Sequence, residues 1–263
     1  MLNNNTKRRQ ALATLTVAVM LVALMAVLVG AQPAQAQGNT NPGVLPPDQK
    51  WYGLTYGEWS AKWYQWIYAI PAPNNPWLDT TGQHAKVGQN ERVFFLAGVV
   101  CGLSSPQSMC TGEGATVTRD VTIRQGMPLF FPVANFQLDN LGNTGTPLTS
   151  ADLQALAAQY MEKVVVRMSA QIDGVDVQNL ANYRVTAPVF SYRIPGNNIY
   201  QAQGLDFGPQ KVDPAVSDGV FLLLAPLPVG QHTIHFIAVF ATDNKDPHES
   251  FFTLDVTYNI TVK

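Results

Sequence analysis

The residue types best suited to chemistry gather early in the chain. Asp79, Thr81 and His84 fall in one polar loop, Asp79-Thr80-Thr81-Gly82-Gln83-His84, which offers a carboxylate, a hydroxyl and an imidazole. Such a set could hold a ligand or a cation. Asp and Thr also bond their own backbone and do no more than stabilise turns. Trp51 and Trp77 lie outside the helical stripe described below, which makes them candidates for exposed aromatic faces that stack on sugars or peptide side chains. Trp51, Trp77, Asp79, Thr81 and His84 are therefore the candidate ligand-binding residues.

A second group is acidic. Asp243, Asp246 and Glu249, with Asn244 between them, occupy a loop between two predicted strands. Oxygen-rich loops suit Ca²⁺, although this spacing is not an EF-hand and an acidic hairpin tip is ordinarily just solvated. Asp206, Asp213 and Asp218 invite the same reading. His232 and His235 are three apart in a predicted strand, so they point to opposite faces and cannot together ligate one metal. Apart from this candidate Ca²⁺ site, no cofactor is expected. Cys101 and Cys110 are the only cysteines, are not spaced C-x-x-C and have no histidine between them. In an exported chain they predict one disulfide, contributing roughly 2.5–3 kcal/mol.

Enzyme signatures are missing: there is no G-x-S-x-G, H-E-x-x-H or P-loop. Gly112-Glu113-Gly114 lacks the third glycine of a dinucleotide fingerprint. A carboxylate pair or a serine triad assembled from distant residues stays open.

These groups need a scaffold, and composition says what kind. Of 263 residues, 46 % are apolar, so a substantial core can form. Only 13 % are charged and the formal net charge is −2, which excludes a nucleic-acid binder relying on a basic surface. Residues 1–36 read as a signal peptide: Lys7, Arg8 and Arg9, an apolar run from Ala11 to Ala31, then Ala34-Gln35-Ala36 as the cleavage site. Left uncleaved, that run is long enough to anchor the chain in a bilayer. Residues 37–54 read as a linker.

The body, 55–263, is predicted to be one domain. Trp59, Trp63, Trp66, Ile67 and Ile70 repeat at helical period and predict an aromatic helix over 55–70. Thr55 and Glu58 form its capping box, and Pro71 and Pro73 end it. A second helix is predicted over 150–163, capped by Thr149 and Asp152, with Leu153, Leu156, Ala157 and Tyr160 as its buried stripe. The rest reads as strands. Residues 93–99 form a short apolar run, and 115–123 alternates with Thr and charged residues. Residues 127–133 carry Pro128 and Pro132 and so predict an edge strand or one with irregular ends. Residues 164–172 lead into an Asp173-Gly174 hairpin, and 183–194, 219–225 and 232–241 read as further strands around a long loop at 195–218. In 252–262, Phe252, Leu254, Val256, Tyr258, Ile260 and Val262 alternate with polar residues. The expected fold is mainly β: an antiparallel β-sandwich, Ig-like or jelly-roll-like, with two α-helices.

The set Trp59, Trp63, Trp66, Asn75-Pro76, Asp79-Thr80-Thr81-Gly82, Phe94-Phe95-Leu96-Ala97-Gly98 and Leu129-Phe130-Phe131-Pro132 resembles an uncharacterised family of exported bacterial β-rich proteins. Pro228-Val229-Gly230-Gln231-His232-Thr233-Ile234 and Asp255-Val256-Thr257-Tyr258 extend the resemblance over most of the chain body. The family has no assigned activity, so the resemblance implies no catalytic residues. Where that family often has a cysteine, this chain has His84, which departs from any shared disulfide pattern.

The sequence thus points to an exported, non-catalytic binding or structural protein, periplasmic or extracellular, with carbohydrate or another surface polymer as its candidate partner. The alternative is a secreted glycan hydrolase with paired carboxylates.

Overall fold

Short-range signals set both long helices. In the computed structural model, which describes residues 41–100, 114–241 and 250–263, helix α1 (Tyr56–Tyr68) starts at a complete capping box. The Thr55 side chain accepts from Glu58 N, and the Glu58 carboxylate accepts from Thr55 N at 2.7 Å. Thr149 and Asp152 do the same for α2 (Ser150–Lys163). Each cap is worth about 1 kcal/mol. α1 is buried almost all round, which marks a helix that is itself a core layer. The buried stripe of α2 is Leu153, Ala157 and Met161; Tyr160 is exposed, because the i, i+4, i+8 row rather than the predicted one meets the sheet. A third helix, α3 (Ile199–Ala202), is one turn long.

The described residues form two five-stranded sheets with no closed barrel, so the fold is a mainly β sandwich. Sheet 1 runs β1 (Phe94–Phe95), β3 (Leu129–Asp139), β8 (Gln210–Leu224) and β6 (Arg184–Thr186), with β7 (Phe190–Ile194) also on β8. Sheet 2 runs β2 (Gly114–Ile123), β10 (Ser250–Val262), β9 (Gly230–Ala241), β4 (Val165–Ile172) and β5 (Val175–Asp176). Phe131 stacks on Phe236 at 5.2 Å and Phe136 meets Phe240 at 5.8 Å across the two sheets. On its other face sheet 1 carries α1, through Tyr56 on Phe130 at 5.8 Å and Trp63 on Phe221 at 6.4 Å. The order of layers is helix, sheet, sheet.

Several expectations are corrected. The pairs β1–β3 and β2–β10 are parallel, so the sandwich is not purely antiparallel. β3 shows the irregularity that its prolines predict: its register on β8 shifts between Pro132 and Ala134, while β1 covers only Leu129 and Phe130 on its other side. The run 93–99 gives only the two residues of β1. The loop at 195–218 contains α3 and the start of β8. From Asn41 onward the predicted linker belongs to the domain: Val44 bridges Leu224, and Leu45 N donates to Leu223 O at 2.8 Å. Among the described residues no helix is long and apolar enough to cross a membrane. The predicted signal segment, Cys101, Cys110, and the acidic group Asp243, Asp246 and Glu249 lie outside the described residues.

The Asp173-Gly174 hairpin joins β4 to β5 with both residues at positive φ, as a type I′ turn requires. Asp173 also fastens β9: it accepts from Thr233 N at 2.8 Å and lies 2.8 Å from His232 Nδ1. Burial lowers the His232 pKa, but Asp173 and the Pro228 carbonyl outweigh it, and the net direction is upward. A raised imidazole pKa adds stability that is complete below the unfolded value of about 6.5 and is lost as pH rises through the folded one. The melting temperature should therefore fall from pH 6 toward pH 8, and His232→Asn should flatten that slope; an unchanged slope would refute the pairing.

Candidate functional site

One proline opens a cavity in this fold. Phe94 N donates to Pro128 O at 2.8 Å and Leu96 N to Phe130 O at 3.0 Å. The next bond of a parallel ladder would run from the N–H of residue 132 to Leu96 O. Pro132 has no N–H. Leu96 O instead accepts from Trp63 Nε1 at 2.9 Å. A bulge follows between Pro132 and Ala134. Opposite it stands Gly219, where an added Cβ would fall 2.5 Å from Asn135 Cβ and 2.8 Å from Ala134 O, so only glycine lets the two strands approach.

Beyond Leu96 the chain is drawn to sheet 2. Ala97 N donates to Tyr258 Oη at 3.0 Å. Ala97 O accepts from Arg119 Nη1 at 2.6 Å and from the Tyr258 hydroxyl at 2.7 Å. Arg119, on the inward face of β2 and only 1 % exposed, also donates from Nε to Asp79 O at 2.7 Å and from Nη1 to Tyr258 Oη at 2.7 Å. Its Nη2 has no partner among the described residues. Burial pushes the Tyr258 phenol pKa up, against the lowering effect of the Arg119 charge.

Between β3 and the diverted segment lies a cavity of about 280 Å³. Gly98, Val99 and Val100 form one wall and Pro132 to Gln137 the other. Trp63, Tyr64, Tyr68 and Trp77 close it from the helix layer, Phe240 and Leu254 from sheet 2. Its polar side chains are the phenols of Tyr64 and Tyr68 and, from β3, the amides of Asn135 and Gln137. With Asp139 the two amides form a period-two ladder on β3 that meets three phenols. Asn135 pairs with Tyr64, Gln137 Oε1 accepts from Tyr68 at 2.8 Å, and Asp139 Oδ2 accepts from Tyr192 at 2.6 Å. Tyr68 stacks on Tyr192 at 4.2 Å and on Tyr200 at 5.7 Å. Burial drives these phenol pKa values up, that of Tyr200 to about 12. They remain protonated near neutral pH and serve as hydrogen-bond donors, not as bases.

Of the five residues singled out in the sequence, only Trp77 reaches the cavity. It is not exposed: it packs edge-on against Trp63 at 5.5 Å and Tyr68 at 5.2 Å and is 9 % accessible. Trp51 packs on the core and donates to Pro46 O at 2.7 Å, and its carbonyl accepts from Trp59 Nε1 at 2.9 Å. Neither is an open platform. Asp79 is buried and closes its own loop. Oδ1 accepts from Thr81 N at 2.8 Å, Thr81 Oγ1 at 2.9 Å and Gly82 N at 3.1 Å; Oδ2 accepts from His84 N at 2.8 Å. Burial raises its pKa, but these bonds outweigh that and hold the carboxyl below its ordinary range. Gly82, at φ +92, lets the loop dock on β2, where Thr81 O accepts from Asp120 N at 3.0 Å. The His84 ring meets Gln83 at 3.1 Å. Asp79, Thr81 and His84 thus build a turn.

Of Asp206, Asp213 and Asp218, two are also engaged. Asp218 accepts from Arg184 at 2.6 Å and Thr186 at 2.8 Å, and Asp213 pairs with Lys211. His232 pairs with Asp173, and His235 Nε2 lies 2.8 Å from Asp255. Among the described residues no group of three or more His, Cys, Asp or Glu side chains could hold a metal. Two features escaped the sequence reading but had a signal. Arg119 is in phase with Ala115, Val117, Val121 and Ile123, and Asn135, Gln137 and Asp139 follow an apolar strand at period two.

No protein-family model matches this chain, and neither does any curated protein. Among solved structures, it is similar to PbICP-C in complex with falcipain-2 at 10 % identity, over 64 % of this chain and 98 % of that one, with a TM-score of 0.24. It is similar to the cysteine protease inhibitor EhICP2 from Entamoeba histolytica at 10 % identity, over 56 % and 86 %, with a TM-score of 0.20. For Amebosin the identity is 10 %, the coverage 57 % and 100 %, and the TM-score 0.14. At such scores these likenesses carry no inference about what this chain does.

Proposed function

We propose that this chain is an exported, non-catalytic binding protein of the cell envelope or extracellular space, and that its ligand enters the cavity beside β3. The lining carries this reading: aromatic and aliphatic side chains with two amides, and no carboxylate, imidazole, amine, guanidinium, thiol or aliphatic hydroxyl among the described residues. Hydrolysis by paired carboxylates needs two carboxyls roughly 5–10 Å apart across the substrate. None of the described residues lining this cavity carries one. Export rests on the basic, apolar and A-x-A pattern of residues 1–36 and on the family resemblance.

The volume sets the ligand's scale. An apolar cavity of about 150 Å³ binds benzene. One of about 280 Å³ takes a bicyclic ring or a single large side chain. Nothing in the lining favours carbohydrate, because a sugar needs an open aromatic face ringed by free polar groups and these indoles are packed edge-on.

Thermal shift with indole and benzyl alcohol tests the reading. A ligand that binds only the folded protein adds about 2.7 kcal/mol at a hundredfold excess over its dissociation constant. Gly98→Leu should abolish the shift: an added Cβ there meets only Leu254 at 3.4 Å, so the larger side chain grows into the cavity without a backbone clash. No shift with either probe, or a shift unchanged in Gly98→Leu, would overturn the proposal.

A further inference from the structure

We infer that the occupant of this cavity is an extended polypeptide segment, which adds a strand to the open edge of β3 and lowers one uncharged side chain into the cavity. This rests on the cavity being a binding site.

β1 covers β3 only through Phe94 opposite Leu129 and Phe95 opposite Phe130. From Pro132 to Asp139, β3 pairs with β8 on one side and with no strand among the described residues on the other. The pairing pattern fixes which backbone groups face that open side. Ala187 N donates to Ser217 O at 2.9 Å, so Ser217 turns its backbone groups away from β3 and toward the β6 side. Ser217 stands opposite Gln137, and Gly219, of the same parity, opposite Asn135. In an antiparallel pair, facing residues either both point at each other or both point away. The N–H and C=O of Asn135 and Gln137 therefore point to the open edge, and among the described residues no backbone bond outside the strand ladders involves them.

The same two residues send their side chains to the cavity. Edge and cavity are thus one site, with two donors and two acceptors repeating every two residues beside one apolar hole. A second polypeptide backbone matches that repeat; a free aromatic or a sugar can fill the hole but not the repeat. No lining residue among those described is charged, so a charged side chain would be desolvated there without a partner among them. The contrast with β1 is direct. Its outer edge is already closed by the Gln89 amide, which donates to Phe95 O at 2.8 Å and accepts from Phe95 N at 2.9 Å. Asn135, Phe136, Gln137 and Leu138 carry neither a charge nor a proline to guard the edge.

The test uses the whole protein, indole as a cavity-only probe, and the capped peptide Lys-Thr-Val-Phe-Val-Thr-Lys with an analogue N-methylated on one edge. The peptide should compete with indole and slow hydrogen exchange at the amides of Asn135 and Gln137. N-methylation should weaken it by about fivefold for each blocked hydrogen bond. If indole binds but the peptide binds no better than its analogue, or both amides exchange as before, strand addition is overturned and the cavity remains a binding site. If neither indole nor peptide binds, the cavity reading fails too. Amides already protected in the dilute protein alone would show the edge covered by its own chain. Protection that grows with protein concentration would make a second copy the occupant. Either outcome overturns the inference.

Discussion

Replacing Trp63 with alanine should cost about 3–5 kcal/mol and enlarge the cavity beside β3. Trp63 is 1 % exposed and has four aromatic rings around it: Tyr64 at 5.0 Å, Trp77 at 5.5 Å, Trp66 at 6.2 Å and Phe221 at 6.4 Å. Three of these lie on its own helix or the adjoining turns and the fourth on β8, so the void cannot readily collapse. The indole also supplies the donor that Pro132 withholds from Leu96 O. Trp63→Phe should separate the two effects, since it keeps most of the ring and loses the bond, at about 1–3 kcal/mol. Urea unfolding with an unchanged slope is the measurement. The folded Trp63→Ala protein should accept a probe too large for the native cavity. A cost below about 1 kcal/mol would mean that this indole does not sit in a packed core.

Arg119→Ala should be comparably severe, at about 3–5 kcal/mol. The change leaves a void and removes the donor to Asp79 O, one of two donors to Ala97 O, and a donor to the Tyr258 hydroxyl. Exchanging a buried ion pair for apolar residues is often harmless. Arg119 differs because its partners are carbonyls and a phenol, and two of the three are main-chain groups that no substitution can delete. Arg119→Met, which keeps most of the volume, should recover only the void. Arg119→Lys should recover little, since one ammonium cannot span the separated acceptors of a forked guanidinium. The effect should be local as well as global. Hydrogen exchange at Ala97 N should speed up, because the Tyr258 hydroxyl it bonds would be released, while β5 at the far end of sheet 2 should be unaffected. Uniform loosening would refute the clamp.

What the sequence revealed follows from the range of the forces involved. The boxes Thr55–Glu58 and Thr149–Asp152 are made within four residues, and both helices begin where they predict. The alternation of β10 is equally direct, since Leu254, Val256, Tyr258, Ile260 and Val262 are all buried. The prolines of β3 predict an edge or an irregularity, and only the partner strands show the bulge after Pro132 and how little of the other side β1 covers. The parallel β2–β10 pair leaves no trace in either segment alone. Arg119 looked like the polar half of an alternating strand, although its register puts it on the apolar half. The polar loop at Asp79 stands out by its residue types, yet the Asp79 carboxylate is spent on the loop's own backbone and on Thr81, and the His84 ring meets Gln83 beside it. The cavity is the least legible feature, as it arises from the absence of one N–H at Pro132 and from contacts across both sheets.

The placing of β10 governs when this chain can fold during synthesis. β10 lies between β9 and β2, and its bond from Asn259 to Asp120 spans 139 residues. Until the ribosome has made β10, β2 has no strand to pair with, and Arg119 lacks the phenol that helps it hold Ala97. The nascent chain can form α1, α2 and the β3–β8 pair, but neither the sandwich nor the wall of the cavity. With this topology, closure of the sandwich is a late event that waits on one strand, whatever has formed before it.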